Sequence, residues 1–228
     1  MLLGIDPMYI LLVVLPGALL SGLASMWVKS AFSRYSKVGS RRGYTGAEAA
    51  QVLLDRAGIR DVSIISTRGY LSDHYNPTSK QLALSEAVYS NRSIAAIGVA
   101  THEAGHAIQH ATKYAPLWLR SALVPTAKIG SSLGVIVMII GLFLNGTGLV
   151  LIGAALFSCV LLFQVVTLPV EFNASARAKR LVVEAGVVDR DERRGIDAVL
   201  NAAGMTYVAA AVSTLLTLLY FLMRAGLL

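Results

Sequence analysis

The sequence predicts a mainly α protein that crosses a membrane four times and carries a small α+β region between its spans. Three observations lead there. Four runs are apolar over most of the roughly 20 residues that a bilayer crossing takes. The chain is 55% hydrophobic and only 14% charged, whereas a soluble domain carries roughly a quarter charged residues. The basic residues fall almost entirely in two segments between the runs.

The first run extends from about Met8 to Val28 and contains Pro16. Its leading residues include Asp6 and no Lys or Arg. A cleavable signal starts basic, so a retained anchor is expected. The second run lies near Ile129–Leu144, an earlier start being the alternative, and the third is Leu149–Leu168. Between them "NGTG", Asn145–Gly148, predicts a tight turn joining antiparallel helices. A hairpin buried in a soluble core is the competing reading of this pair, but uncharged runs of this length are rare there. The fourth run is Met205–Met223.

Residues 29–128 hold thirteen of the twenty Lys and Arg, residues 170–204 hold six, and the C-terminal tail holds Arg224. The positive-inside rule assigns both basic segments to the cytoplasm and both termini to the outside, which an even number of crossings satisfies. The expected division is an N-terminal membrane anchor (1–28), a cytoplasmic region (29–128), a transmembrane hairpin (129–169), a second cytoplasmic segment (170–204) and a C-terminal transmembrane helix (205–228). The net charge of +7 then reports topology and contact with anionic lipid. No aromatic–basic interleaving points to nucleic acid. Cys159, the single cysteine, cannot form an internal disulfide.

Outside the spans, "YTGAEAAQVLLDRAG" predicts a helix with Thr45 and Glu48 as a capping box and Gly58 as its stop. "DVSII", Asp61–Ile65, and "QLALS", Gln81–Ser85, have strand composition. The turn-rich "GYLSDHYNP" between them carries His74. A hairpin or three short strands is expected. Ser93 can cap a helix running to about Thr112. Asp189 and Glu192 suggest another capping box, with Gly204 closing that helix.

The chemistry concentrates in "ATHEAGHAIQH", residues 100–110, which holds three of the four histidines. Residues four apart share a helix face, so His102 and His106 can aim two imidazole nitrogens at one ion. Glu103 cannot easily be a third ligand, but it can reach a water at that ion and act as its general base. A zinc ion would lower the water's pKa and polarise a substrate carbonyl. The alternative is a polar cluster that only packs. Gly105 costs the helix about 1 kcal/mol relative to Ala, which suggests that another element approaches closely there. His110 lies eight residues past His102, about 12 Å along the axis, too far to share the ion. It is expected to support a ligand or to face headgroups, and His74 to lie at the surface or on the site rim.

A catalytic zinc usually takes three protein ligands. Six positions past His106, where another zincin group has its third histidine, stands Thr112. A carboxylate on a different helix is therefore expected. Glu171 in "LPVEFNASARAKR" fits best, directly after the third run, with Asp73 and Glu86 as rivals. Glu184, Asp189, Asp191 and Glu192 read as solvated helix charges.

"DHYNP", "LSEAVYSNRSIAAIGVATHEAGHAIQH" and "LPVEFNASARA" closely resemble the bacterial membrane zinc metallopeptidases called YugP-like or neutral zinc metallopeptidase 2 proteins. More distantly the chain resembles the HtpX/Ste24 membrane proteases, which also place spans between H-E-x-x-H and the third ligand. The resemblance implies one catalytic Zn2+ held by His102, His106 and Glu171, with Glu103 as base, in a zincin-like, gluzincin-type site. Ser175 stands where the distant group has Asp. A hydroxyl is a weaker partner for a ligand histidine than a carboxylate, so Asn173 is an additional candidate for orienting one.

The implied function is a membrane-embedded zinc endopeptidase at the cytoplasmic face of a bacterial inner membrane, acting on proteins or peptides, including membrane proteins. A catalytically silent zinc-binding scaffold and a site-2-type intramembrane protease are the alternatives. The latter's N-x-x-P-x-x-x-L-D-G segment is not present. Leu82–Ser85 is expected to be the edge strand that pairs with substrate. Tyr75, His74 and Arg177 are candidate donors to the oxyanion.

Overall fold

The computed structural model describes residues 6–69 and 71–228. Residues 1–5 of the expected anchor and Tyr70 lie outside the described residues. The elements are α1 (Pro7–Tyr35), α2 (Gly46–Arg56), β1 (Ser63–Thr67), β2 (His74–Asn76), β3 (Gln81–Ser85), α3 (Glu86–Tyr89), α4 (Ile94–Ala111), α5 (Ala115–Phe143), α6 (Thr147–Glu184) and α7 (Arg193–Arg224). Helices α1, α5, α6 and α7 are long and apolar enough to cross a membrane.

These four helices outrun the apolar runs. Helix α5 begins at Ala115, well before Ile129, because Lys128 and Arg120 interrupt apolarity without breaking helical backbone. Helix α6 continues 16 residues past Leu168 to Glu184, straight through Pro169. Helix α7 likewise passes through Gly204, which is therefore not a stop. A Cβ at Gly204 would lie 2.9 Å from Phe172 Cε1, so glycine there makes room for an aromatic ring.

The chain divides into two compact units. One contains the described part of Met1–Ser25, Trp118–Leu168 and Met205–Leu228. Within it α5 and α6 form an antiparallel hairpin around Asn145, whose φ is 50°. Small residues set the spacing. A Cβ on Gly153 would meet Met138 N at 2.6 Å, and one on Gly141 would meet Val150 N at 2.6 Å. Such close approach supplies the dispersion contacts that hold helices together where lipid competes equally for apolar side chains. At one end Asp6 accepts from the Tyr220 hydroxyl at 2.5 Å and pairs with Arg224 at 3.2 Å.

The other unit contains Met26–Leu117 and Pro169–Gly204. Helix α2 starts in the expected capping box, in which Thr45 and Glu48 satisfy each other's backbone N–H. Gly58, at φ +72°, follows its end. Ala49, Ala50, Leu53 and Leu54 of α2 bury against α4 and the sheet residues Leu82 and Leu84. Ala178 and Val182 of α6 and Ile196, Val199 and Leu200 of α7 join the same core. Ser93 caps α4 by accepting from Ala96 N. The box expected at Asp189 is half made. Glu192 accepts from Asp189 N at 2.9 Å, but the Asp189 carboxylate turns instead to Arg42 at 3.0 Å.

The sheet order is β1-β3-β2, with β3 parallel to β1 and antiparallel to β2. Leu82–Ser85 is thus the central strand, not an edge. It pairs with β1 along its whole length and with β2 as far as Ala83, and β2 forms within the stretch that composition marks as loop. The continuous burial of Leu82, Ala83, Leu84 and Ser85 is that of a strand covered on both faces.

The hairpin spacing generates a stability test. Gly153→Val places a side chain against the backbone of Met138 and Gly134 as well as against Met138 Cγ, so destabilisation of about 1–3 kcal/mol is expected. Denaturant titration in detergent should show it. A Gly153→Val protein as stable as wild type would mean that the α5–α6 contact tolerates wider spacing.

Candidate metal centre

His102, Gly105, His106 and Gln109 occupy one face of α4, at the i, i+3, i+4, i+7 spacing. Glu171, Ala174, Ser175 and Ala178 occupy one face of α6 at the same spacing. These stripes lie against each other. A Cβ on Gly105 would be 2.6 Å from the carbonyl oxygen of Ala174, which is the close approach that a glycine between two histidines foreshadowed. The helices run in opposite directions at this contact: Gln109 bonds Val170 and Asn173, while His102 bonds Ser175.

The crossing delivers Glu171 to both imidazoles. Its Oε2 is 3.3 Å from His102 Nε2 and 3.5 Å from His106 Nε2. The three potential ligand atoms lie within 4.8 Å of one another, and Glu171 is 3% exposed. The rings are nearly perpendicular, with centroids 4.7 Å apart. Each imidazole is held from behind by its other nitrogen. His102 Nδ1 lies 3.1 Å from Ser175 Oγ, and His106 Nδ1 lies 3.0 Å from Gln109 Oε1.

The family described as "Putative neutral zinc metallopeptidase" matches residues 9–226. The chain belongs to this family. A Bacillus subtilis (strain 168) protein named "Putative membrane protease YugP" is 47% identical over 204 residues, which cover 90% of this chain and 91% of that protein. No solved structure matches.

The residues present fit the family's zinc. Two neutral imidazoles and one carboxylate are a borderline-soft donor set that zinc accepts, and three protein ligands leave a position for substrate chemistry. A buried carboxylate facing two Nε2 atoms is costly to retain unless it has a cation to meet. Burial pushes the His106 imidazole down, but the bond to Glu171, the nearby Glu103 and Glu171 charges and the bond to Gln109 outweigh it. The group sits above the ordinary histidine range.

The other sequence-selected residues are placed as follows. Glu103 is buried and close enough to act on His106 electrostatically. Asp73, a rival ligand, is committed to Ser85, accepting from its backbone N at 2.7 Å and from its hydroxyl at 3.1 Å. Glu86 is exposed on α3 and is not in the His–His–Glu group. His110 Nδ1 lies 2.8 Å from the Tyr75 hydroxyl, tying α4 to β2. His74 is exposed, its Nδ1 2.8 Å from Ser72 O. Arg177 Nε donates to Asn173 Oδ1 at 2.8 Å, and its guanidinium lies over Tyr114. Ser175 meets His102 directly, whereas Asn173 reaches His106 only through Gln109. Gln109 itself escaped the sequence reading, although its i+3 spacing from His106 places it on the ligand face.

The raised His106 titration has a signed consequence. In metal-free protein it favours folding below about pH 6.5, the unperturbed value, and that contribution is lost as pH rises through the raised one. Zinc requires the deprotonated ring, so zinc affinity moves the other way. The zinc-induced increase in Tm should therefore grow between about pH 5.5 and pH 8.5, with much of the gain above about pH 6.5. Equal increments at both ends would show that no ligand histidine titrates in this range.

Proposed function

We propose that the protein is a membrane-embedded, zinc-dependent endopeptidase of the gluzincin type, with Glu103 as general base, working at the cytoplasmic face of a bacterial inner membrane. The observation that supports this reading best is the pairing of a complete His102–His106–Glu171 group with an intact, buried Glu103. A zinc that only stabilised the fold would need no base beside it.

When bound, zinc supplies Lewis acidity, lowering the pKa of water and polarising a carbonyl. The chain's own residues do the rest. Glu103 removes a proton from the attacking water as its oxygen bonds to the scissile carbon. It then delivers that proton to the amide nitrogen as the C–N bond breaks, leaving a carboxylic acid and an amine, and the acid's proton then passes to the amine to give carboxylate and ammonium. Glu171 contributes negative charge to the donor set, and Ser175 and Gln109 hold the two rings in place.

Substrate positioning follows the sheet as it stands. Strand β2 pairs only with β3 among the described residues, so its outer edge can accept an extended peptide by backbone pairing. Tyr75 on β2 is anchored to His110 on the helix that carries both ligand histidines. Of the candidate oxyanion donors, Tyr75 engages His110 and Arg177 Nε is committed to Asn173. Either must therefore exchange or share a partner to serve.

Two measurements test this reading. Glu103→Gln should keep zinc and lose about 10²–10⁴-fold of casein or peptide cleavage. Undiminished cleavage by that variant would remove the peptidase assignment. For sidedness, Arg56→Cys in a Cys159→Ser background should resist an impermeant maleimide in intact cells and label after permeabilisation. Ready labelling of intact cells would invert the topology.

A further inference from the structure

Gln109 is completely buried on the ligand face of α4. Its side-chain amide joins three groups: Nε2 donates to Val170 O at 2.8 Å and to Asn173 Oδ1 at 3.0 Å, and Oε1 faces His106 Nδ1 at 3.0 Å. The direction of this amide is dictated by chemistry. A peptide carbonyl only accepts, so the NH2 end must point to Val170. The Asn173 oxygen must point towards Gln109 and Arg177, because a guanidinium only donates and Arg177 Nε lies 2.8 Å from that oxygen. With both neighbours of the nitrogen fixed as acceptors, Oε1 must face the imidazole.

An amide oxygen cannot donate, so His106 Nδ1 must carry the proton of that contact. In the neutral ring Nε2 is then bare, and this is the nitrogen that faces Glu171. The lone pair needed by a metal is exposed on the correct side before any metal arrives. His102 is different. Its Nδ1 meets the Ser175 hydroxyl, which can donate or accept, so that contact selects no tautomer.

We propose that Gln109 is a positioning residue that locks His106 in the Nδ1–H tautomer, through a one-way relay from Arg177 and the Val170 carbonyl, leaving Ser175 to hold His102 without selecting its form. The relay does for one ligand what a carboxylate does for ligand histidines elsewhere, and it uses neutral amides inside a buried contact where a further charge would be costly. It rests on the reading of His102, His106 and Glu171 as metal ligands. It does not rest on catalysis.

The test uses full-length protein in detergent. Gln109→Leu keeps nearly the same volume but removes the acceptor. Gln109→Glu restores an acceptor for Nδ1–H as the protonated acid, whose O–H then donates to the Val170 carbonyl in place of the amide NH2. Chelator competition should show zinc affinity about 10–100-fold weaker for Gln109→Leu, with recovery towards wild type for Gln109→Glu. Gln109→Met, an unbranched side chain of similar length with no acceptor for Nδ1–H, repeats the loss and decides the question if Gln109→Leu does not fold. In metal-stripped protein labelled with 15N-histidine, only four side chains contribute. Above its titration, His106 should show the Nδ1–H pattern in wild type and a mixture of forms in Gln109→Leu. Folded Gln109→Leu or Gln109→Met with wild-type zinc affinity and an unchanged His106 pattern would overturn the proposal, as would wild-type His106 in the Nε2–H form. None of these readouts needs peptide hydrolysis. Loss of the peptidase reading through Glu103→Gln would therefore leave this result standing, and the reverse also holds.

Discussion

The contact between Gly105 and the Ala174 backbone is the constraint on which the site depends. Helix axes usually pack 8–10 Å apart, and ordinary side chains at this crossing would hold α4 and α6 at such spacing. A missing Cβ lets α4 settle until its backbone nearly touches the Ala174 carbonyl. Only then can Glu171, one turn before Ala174, reach both imidazoles at 3.3 and 3.5 Å. The same settling brings Ser175 under His102 and Gln109 against Val170. The roughly 1 kcal/mol that glycine costs a helix interior is thus matched by a whole set of contacts that no larger residue permits.

Much of this was visible in the primary structure because it depends on local periodicity. His102 and His106 share a face whatever they pack against, and Gly105 between them announces close approach. Glu171 could be selected because few carboxylates follow the third apolar run closely. Gln109 shares that face through its i+3 spacing from His106, but spacing alone does not give its role. A glutamine in an apolar helix has no pattern of its own, and its meaning comes from a carbonyl 61 positions away. The place of β3 in its sheet was equally hidden. Strand composition says that Gln81–Ser85 is extended, but the parallel partner β1 is reached by skipping over β2, and order in the chain does not report order in the sheet.

Glycine illustrates why single residues mislead without their partners. Gly58 ends a helix with φ +72°, as its position after Arg56 suggests. Gly204 stands in what looks like an equivalent place, yet the helix passes through it to Arg224. The difference lies outside the helix, in the Phe172 ring packed against it. In the α5–α6 hairpin, Gly141 and Gly153 serve the same spatial purpose between apolar helices.

His106 and Glu171 are separated along the chain by α5, the Asn145 turn and the first part of α6, the helix that itself carries Glu171. A nascent polypeptide emerging from the ribosome therefore presents His102, Glu103 and His106 long before Glu171 exists to complete them. Until synthesis has passed Glu171 in α6, the His–His–Glu group that could hold a metal ion lacks its carboxylate. Assembly of this group is thereby tied to synthesis of the hairpin, which postpones its completion during biogenesis.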